Sequence, residues 1–530
     1  MKYLLILITV LAVFLRFYLL DQIPTGLNVD EAYQGYNAYS LLQTGKDHFG
    51  KDFPLYFRVF GTFQSPLYTY LTIIPVYLFN LSIFSTRFIS AISGVLIVIL
   101  TYSIISKIPR KDSKKLALIA AGMVTISPWA IFFSRNAIEA NLALLIVLAG
   151  LLMFVLSLNR PKLLIPATFL FGLSTYAYQA QRLSTILFIA LFLIIFRKSF
   201  RSKKIILIAV AVFVITQIPQ LLLIGTAASS RRLDQVGYWG NLSGNALQNI
   251  YFLTRKFAAQ YTAYLSPKNL FFDPDPQAVR SIPDLSVFYS FMIIPFFFGI
   301  KELLKIFKQP VIKIILINGL VSIIPAALTT EPFYTMRVLP FLWLVTIIIA
   351  MGIYYRFQNL KPNFRWIFIA VILIFSLGLF YTKYFILLKY ERSLNYGYPY
   401  IELAKKSEQF KDQQFVLDSA RDTSYILLAF YKKTDPLQFQ KSNGLKDTSN
   451  YYSDINLNHN YKIGNIEMRG IVWKDDTYIN EFLAGDNLAI SPIDQTEHRL
   501  TLVEDIRGLD GSLGIKLFTT NPTAKRNPGK

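Results

Sequence analysis

Long apolar blocks alternate with short polar stretches along most of the chain. That is the pattern of helices crossing a bilayer rather than of a water-soluble core. The blocks fall at roughly 3–20, 84–106, 116–133, 138–158, 163–180, 183–196, 204–224, 285–300, 311–329, 338–355 and 366–385, about eleven in all. The first, YLLILITVLAVFLRFYLL, runs on into bulky residues rather than a small-residue cleavage site, so a retained helix is expected.

Two regions break the pattern. Residues 21–83 are polar and aromatic, and within them DEAYQGYNAYSLL, closed by Gly45, and SPLYTYLTIIPVYLF, carrying Pro75, read as amphipathic helices lying in the membrane interface. Residues 386–530 read as a small mixed α/β domain. In it QQFVLDS is expected as a strand, TSYILLAFYKK as a helix, and KIGNIEMRGIVW and NLAISP as further strands. The closing TNPTAKRNPGK is expected to lack fixed structure. The expected organisation is therefore a membrane domain over 1–385, with a first outer loop at 21–83 and a central one at 225–284, and a carboxyl-terminal domain over 386–530.

Charge sets the orientation. SKIPRKDSKK, NRPK, FRKSFRSKK, KELLKIFKQPVIK and YRFQNLKPNFR are rich in Lys and Arg and occur at every second crossing. By the positive-inside rule they are cytoplasmic, which places the amino terminus inside and 21–83, 134–138, 180–183, 225–284, 330–337 and 386–530 outside. In a bacterial cell this is the inner membrane. The composition agrees: 53% of residues are apolar and 16% charged, against about 25% charged in soluble domains. The net charge of +22 sits in short loop clusters, which suits anionic lipid and not nucleic acid. With no cysteine, disulfides and thiolate chemistry are excluded, and His48, His459 and His498 show no metal-ligand spacing.

Candidate chemistry gathers on the outer side. Asp30 and Glu31 are adjacent carboxylates at the start of the first interfacial helix. The same stretch fits a helix cap, because Asn28-x-x-Glu31 has capping-box spacing. SRNAIEAN places Arg135 and Glu139 in one short outer turn, YAYQAQR places Tyr176, Tyr178, Gln179 and Arg182 in the next, and EPFYTMR adds Glu331, Tyr334 and Arg337. FSTR ends on Arg87 at the outer start of the second span, and Arg16 lies near the outer end of the first. Singly each arginine reads as interfacial snorkelling. Together they describe a cationic, aromatic pocket at headgroup level, and arginine forks match phosphate oxygens. A sugar leaving a lipid phosphate needs cations for the leaving group and a carboxylate base for the attacking hydroxyl.

These features resemble the GT-C superfamily of membrane glycosyltransferases. The likeness is to the bacterial relatives of protein O-mannosyltransferases and of the aminoarabinose transferase that modifies lipid A (the family 39-like branch). It rests on the order PTGLNVDEAYQGYNAYSLLQTGKDHFG, SPLYTYL, FSTRFISAISG and SRNAIEAN across roughly 1–355. The resemblance implies Asp30 as catalytic base with Glu31 beside it, Arg87 as a donor-phosphate ligand, and Glu139 as an acidic residue of the substrate pocket. Outer-edge placement adds Arg135, Arg182 and Arg337 as phosphate ligands, and Tyr176, Tyr178, Gln179 and Tyr334 as pocket residues. Where the aminoarabinose transferase carries a Glu-Lys pair, this chain has Gln64 and Ser65, which removes a metal-binding carboxylate.

The sequence thus predicts a polytopic α-helical protein of GT-C fold and an inverting transferase that moves a sugar from a polyprenyl-phosphate donor to a hydroxyl of a lipid, glycan or protein acceptor. No cofactor is required by the motifs, and a divalent ion is left open. Two other readings compete: a transporter or flippase for lipid-linked sugars, and an oligosaccharide ligase or polymerase using a diphosphate-linked donor.

Overall fold

A computed structural model describes the chain except for residues 201, 359–360, 420–423, 454–459 and 527–530. Each apolar block folds as helix. The chain opens with α1 (Lys2–Phe17), followed by α2 (Val29–Thr44), a hairpin of β1 (Phe57–Val59) and β2 (Thr62–Gln64), and α3 (Pro66–Phe79). Then come α4 (Ile83–Ile105), α5 (Ser113–Ile126), α6 (Pro128–Ser134), α7 (Glu139–Ser157), α8 (Leu164–Ala177), α9 (Gln181–Phe196) and α10 (Lys203–Leu221). The central loop holds α11 (Ala227–Val236), α12 (Ala246–Leu265) and α13 (Pro267–Phe271). Next are α14 (Ile293–Ile306), α15 (Pro310–Val321), α16 (Ile323–Ala327), α17 (Leu339–Phe357) and α18 (Pro362–Phe380), the last continuing into a π-helical stretch, Tyr381–Leu388.

Among the described residues six helices are long and apolar enough to cross a membrane, or seven if α5 and α6 form one bent span. This is the make-up of a multi-pass membrane protein. The sequence count of about eleven also includes α1, α8, α9 and α14, which have 16, 14, 16 and 14 residues. At about 1.5 Å per residue these reach roughly 21–24 Å, short of a hydrocarbon core of about 30 Å. The block expected at 116–133 bends by 59° between α5 and α6. The bend lies at Ser127-Pro128, where ψ of Ser127 is 132° because the proline ring keeps the preceding residue out of helical backbone.

By contact the chain divides into two compact units. The first comprises Met1–Leu20, Ser65–Tyr68 and Arg87–Phe385; the second comprises Asp21–Gln64, Thr69–Thr86 and Ile386–Lys530. In the first unit α1 packs on α5, α7 on α8, and α14 on α17. Indole nitrogens tie further pairs together: Trp129 Nε1 donates to Thr346 Oγ1 at 3.2 Å, and Trp343 Nε1 to Thr101 Oγ1 at 2.8 Å. Such bonds are favoured in lipid, where an unmet donor has no water to turn to.

The second unit joins most of residues 21–83 to the carboxyl-terminal segment. That segment contains α19 (Lys389–Glu391), α20 (Tyr398–Gln409), β3 (Phe415–Leu417), α21 (Tyr425–Tyr431), α22 (Pro436–Asn443), β4 (Tyr461–Ile463), β5 (Ile466–Met468), β6 (Phe482–Gly485), α23 (Pro492–Glu497), β7 (Thr501–Arg507), β8 (Leu513–Thr519) and α24 (Pro522–Arg526). Its six strands are ordered β4-β5-β3-β6-β8-β7, with β3 parallel to both β5 and β6 and the other pairs antiparallel. The central strand is the uninterrupted apolar run FVL, as expected for a strand covered on both faces. Val416, Leu483, Ile490 and Phe518 form a fully buried core.

Most expected elements are found, with two corrections. NLAISP is not a strand; the strand is Phe482–Gly485, just upstream. Asp486 Oδ1 accepts from the Leu488 and Ala489 amides at 2.9 and 2.8 Å, which folds the segment into a turn. The tail expected to lack structure contains the short helix α24, whose Lys525 Nζ reaches the Glu497 carbonyl at 3.0 Å; residues 527–530 lie outside the described ones.

Candidate active site

The candidate carboxylates Asp30 and Glu31 belong to the second unit. Helix α2 begins with a complete capping box: Asn28 Oδ1 accepts from the Glu31 amide at 3.0 Å, and Glu31 Oε2 accepts from the Asn28 amide at 3.1 Å. These bonds satisfy two backbone donors that a helix start leaves unmet. Glu31 is fully buried, whereas Asp30, one residue earlier on the same turn, is exposed. The two carboxylates therefore do different work: Glu31 closes the cap, and the cap does not use Asp30. At the other end Gly45, at φ 69°, stops the helix in a left-handed conformation that costs glycine little. Helix α2 lies so close to α21 that a Cβ on Gly35 would sit 2.7 Å from Phe430 Cε2.

The candidate arginines of the first unit form two groups. One surrounds the carboxyl end of α1. Arg135 donates to the Leu15 and Leu19 carbonyls at 3.1 Å each, and Arg87 to the Leu20 carbonyl at 3.2 Å. Arg16 performs the same task for α5, donating to Val124 and Thr125 carbonyls at 3.2 and 3.4 Å. All three arginines are fully buried. The Arg135 guanidinium also lies 5.2 Å from the Tyr384 ring and 5.0 Å from the Phe385 ring. A helix end exposes carbonyls and partial negative charge, and both attract cations.

The second group surrounds Tyr334. The Arg280 and Arg337 guanidinium carbons lie 3.5 and 3.8 Å from the centre of its ring. Arg280 pairs with buried Asp275 at 3.1 Å and with Glu331 at 3.0 Å. Asp275 also accepts from the Thr335 amide and hydroxyl at 3.1 and 2.7 Å. Arg337 donates to Thr329 Oγ1 at 2.5 Å. Tyr178, at the end of α8, lies within electrostatic reach of Tyr334, Arg337, Glu139 and Arg232. Four residues that the sequence places in three separate turns thus come together: Glu139, Tyr178, Tyr334 and Arg337.

The others are placed differently. Tyr176 donates to the Thr216 carbonyl on α10 at 2.5 Å. Gln179 and Arg182 form the turn that opens α9, with the Arg182 amide on the Gln179 carbonyl at 3.0 Å. Sequence reasoning passed over Arg232, Asp275 and Arg280. They lie between α10 and α14, in SSRRLDQ and FFDPDPQAVRS. The same rule that selected arginines in the short turns would have selected Arg232 and Arg280, had it been applied to the long loop.

Among the described residues no group of three or more His, Cys, Asp or Glu side chains lies close enough to hold a metal ion.

Comparison with known proteins places this architecture. Residues 64–222 match the family model of dolichyl-phosphate-mannose-protein mannosyltransferase. No curated protein matches in sequence. The fold matches that of ArnT from Cupriavidus metallidurans in the apo state, with a TM-score of 0.57, 11% identity and 98% of each chain covered. It matches the same protein bound to undecaprenyl phosphate with a TM-score of 0.55, 12% identity and the same coverage. The oligosaccharyltransferase AglB from Archaeoglobus fulgidus gives a TM-score of 0.47 at 14% identity, over 81% of this chain and 63% of that one. In sequence over 64–222, and in fold over nearly its whole length, the chain resembles the GT-C glycosyltransferases of the protein O-mannosyltransferase and ArnT type.

Proposed function

We propose that the protein is an inverting glycosyltransferase that moves a sugar from a polyprenyl-phosphate donor to an acceptor hydroxyl on the outer face of the membrane. The observation that carries this reading is the division of labour on the first turn of α2. Asn28 and Glu31 close the cap, and Asp30 stands exposed at the helix start. Asp30 is the base that takes the proton from the acceptor hydroxyl as it attacks the anomeric carbon. A single base opposite the leaving phosphate gives in-line displacement and inversion. Glu31 contributes by holding rigid the turn that presents Asp30.

The leaving phosphate needs fixed positive charge and no general acid. Arg337 is its principal ligand, with Arg232 added from the central loop and Arg87 and Arg182 from the outer edges. Glu139, Tyr178 and Tyr334 line the pocket, and Tyr176 and Gln179 border it. Arg135 has one guanidinium nitrogen on the Leu15 carbonyl of α1 and another on the Leu19 carbonyl just beyond it, and it supports this edge by holding the helix end. The basic loops argue for a cytoplasmic amino terminus, for about eleven crossings, and for an outer carboxyl-terminal domain over 386–530.

Reconstitution with a panel of radiolabelled undecaprenyl-phosphate sugars and a membrane extract of the host tests the proposal. Wild type should release sugar from one donor, and Asp30→Asn should be slower by about a hundredfold or more. If no donor is consumed, or if Asp30→Asn is equally active, the transferase reading falls. Movement of the intact lipids across the bilayer would then favour a transporter.

A further inference from the structure

Within the second unit, tyrosine hydroxyls from the carboxyl-terminal segment reach the first outer loop at several points. Tyr431 accepts from the Leu27 amide at 2.8 Å, just ahead of the α2 cap, and Tyr452 accepts from the Leu55 amide at 2.7 Å. One set of contacts forms a chain under α2. Tyr33 lies 2.6 Å from the Tyr425 hydroxyl, Tyr425 lies 3.0 Å from His48 Nε2, and His48 Nδ1 lies 2.7 Å from Asn37 Oδ1. All four side chains are buried.

The direction of this chain follows from one backbone donor. The His48 amide also points at Asn37 Oδ1, at 3.1 Å, and an amide N–H can only donate. The Asn37 atom there is therefore the carbonyl oxygen, so His48 Nδ1 carries a proton and Nε2 is the acceptor. Tyr425 donates to Nε2, and Tyr33 donates to the Tyr425 oxygen. This arrangement satisfies the Tyr425 hydroxyl, both His48 ring nitrogens and Asn37 Oδ1, while Asn37 Nδ2 stays unmet; leaving any of these bonds unmade strands a further buried polar atom. Tyr425 is anchored in turn, with its ring stacked on Tyr461 of β4 at 3.6 Å and 12°. Tyr33 follows Asp30 by three residues, one helical turn on, and the two interact electrostatically.

We infer that Tyr425 is a positioning residue: through Tyr33 and His48 the carboxyl-terminal segment fixes the orientation of the helix that carries Asp30. The consequence for catalysis rests on the reading of Asp30 as the base. Attack on an anomeric carbon is sensitive to placement of that base at the level of an ångström. The carboxyl-terminal segment then acts on the reaction by setting the angle of α2.

Tyr425→Phe keeps the ring and its stacking and removes only the hydroxyl. The test compares it with Tyr36→Phe, which loses a 2.9 Å bond from the same helix to the Thr434 carbonyl. Two readouts are taken on the full-length protein in proteoliposomes: amide hydrogen exchange over residues 29–37, and steady-state kinetics with whichever of undecaprenyl-phosphate mannose, glucose or arabinose the wild type consumes. Tyr425→Phe should speed exchange and lower kcat by about tenfold or more, with donor KM changed less than about twofold. Tyr36→Phe should leave kcat within about twofold of wild type. Unchanged exchange or unchanged kcat in Tyr425→Phe overturns the inference, as does an equal fall of kcat in Tyr36→Phe. A wild type inactive on every donor fails the transferase reading instead, and the exchange readout still decides whether Tyr425 holds α2.

Discussion

The Tyr451 hydroxyl donates a 2.5 Å hydrogen bond to Asp47 Oδ2, joining residues 404 positions apart. Asp47 Oδ1 meanwhile accepts from the Phe49 and Lys51 amides at 3.0 and 2.8 Å. Burial raises the Asp47 carboxyl from 3.8 to about 6, and Tyr451 and the backbone amides only partly offset it. A raised carboxyl pKa means that the folded state holds a proton which the unfolded state has released. Between pH 3.8 and about 6, stability therefore falls as pH rises, by up to roughly 3 kcal/mol in total. Asp47→Asn mimics the protonated form. Thermal unfolding from pH 4 to 7.5 should show the mutant gaining on wild type across that window, and a constant difference would remove Asp47 as the cause.

The first turn of α2 gives a contrast between neighbours. Glu31→Gln can still complete the capping box, so it should retain most activity and most stability. Glu31→Ala should cost about 1 kcal/mol of stability. Asp30→Asn should leave the unfolding temperature unchanged while lowering turnover by about a hundredfold. Equal loss of turnover in Asp30→Asn and Glu31→Gln would mean that both carboxylates act in the chemistry.

For the Tyr334 group the prediction concerns donor binding. Arg232→Ala and Arg337→Lys should each raise donor KM by about tenfold, because each removes a guanidinium fork suited to phosphate. Asp275→Ala should instead reduce stability by about 3–5 kcal/mol, since it leaves the Arg280 charge buried beside Tyr334 without its partner. An Asp275→Ala protein that is fully stable would mean that Glu331 alone neutralises Arg280.

Arg135 should behave as a structural cation. Arg135→Leu deprives the Leu15 and Leu19 carbonyls of their donors, at a cost of about 2–4 kcal/mol. In detergent the variant should unfold at a lower temperature, and any folded fraction should bind donor with the wild-type KM. A raised KM at unchanged stability would make Arg135 a direct phosphate ligand.

Much of this architecture was legible in local runs of residues. The apolar blocks, the cap spacing of Asn28 and Glu31, and Gly45 at the end of α2 are patterns written within a few residues of one another, and backbone geometry reads them directly. The turn at NLAISP was not legible, because apolar residues suggested a strand while the Asp486 carboxylate, just upstream, bonds the next amides instead. Outer-edge placement brought forward Glu139, Tyr178 and Tyr334 for a pocket and Arg337 for the donor phosphate. It did not distinguish them from Arg135, which looks the same in sequence and is held at the carbonyls of α1.

The sequence by itself determined the membrane character, the helices, the basic loops, and the presence of Asp30 at a capped helix start, since each depends on composition or on spacing within a turn or two. Only the tertiary structure decided which distant groups meet. Tyr33 finds Tyr425 across 392 positions, and Arg135 finds the end of α1 across 120. Such pairings are fixed by how whole helices and strands pack, and by the demand that every buried donor and acceptor find a partner.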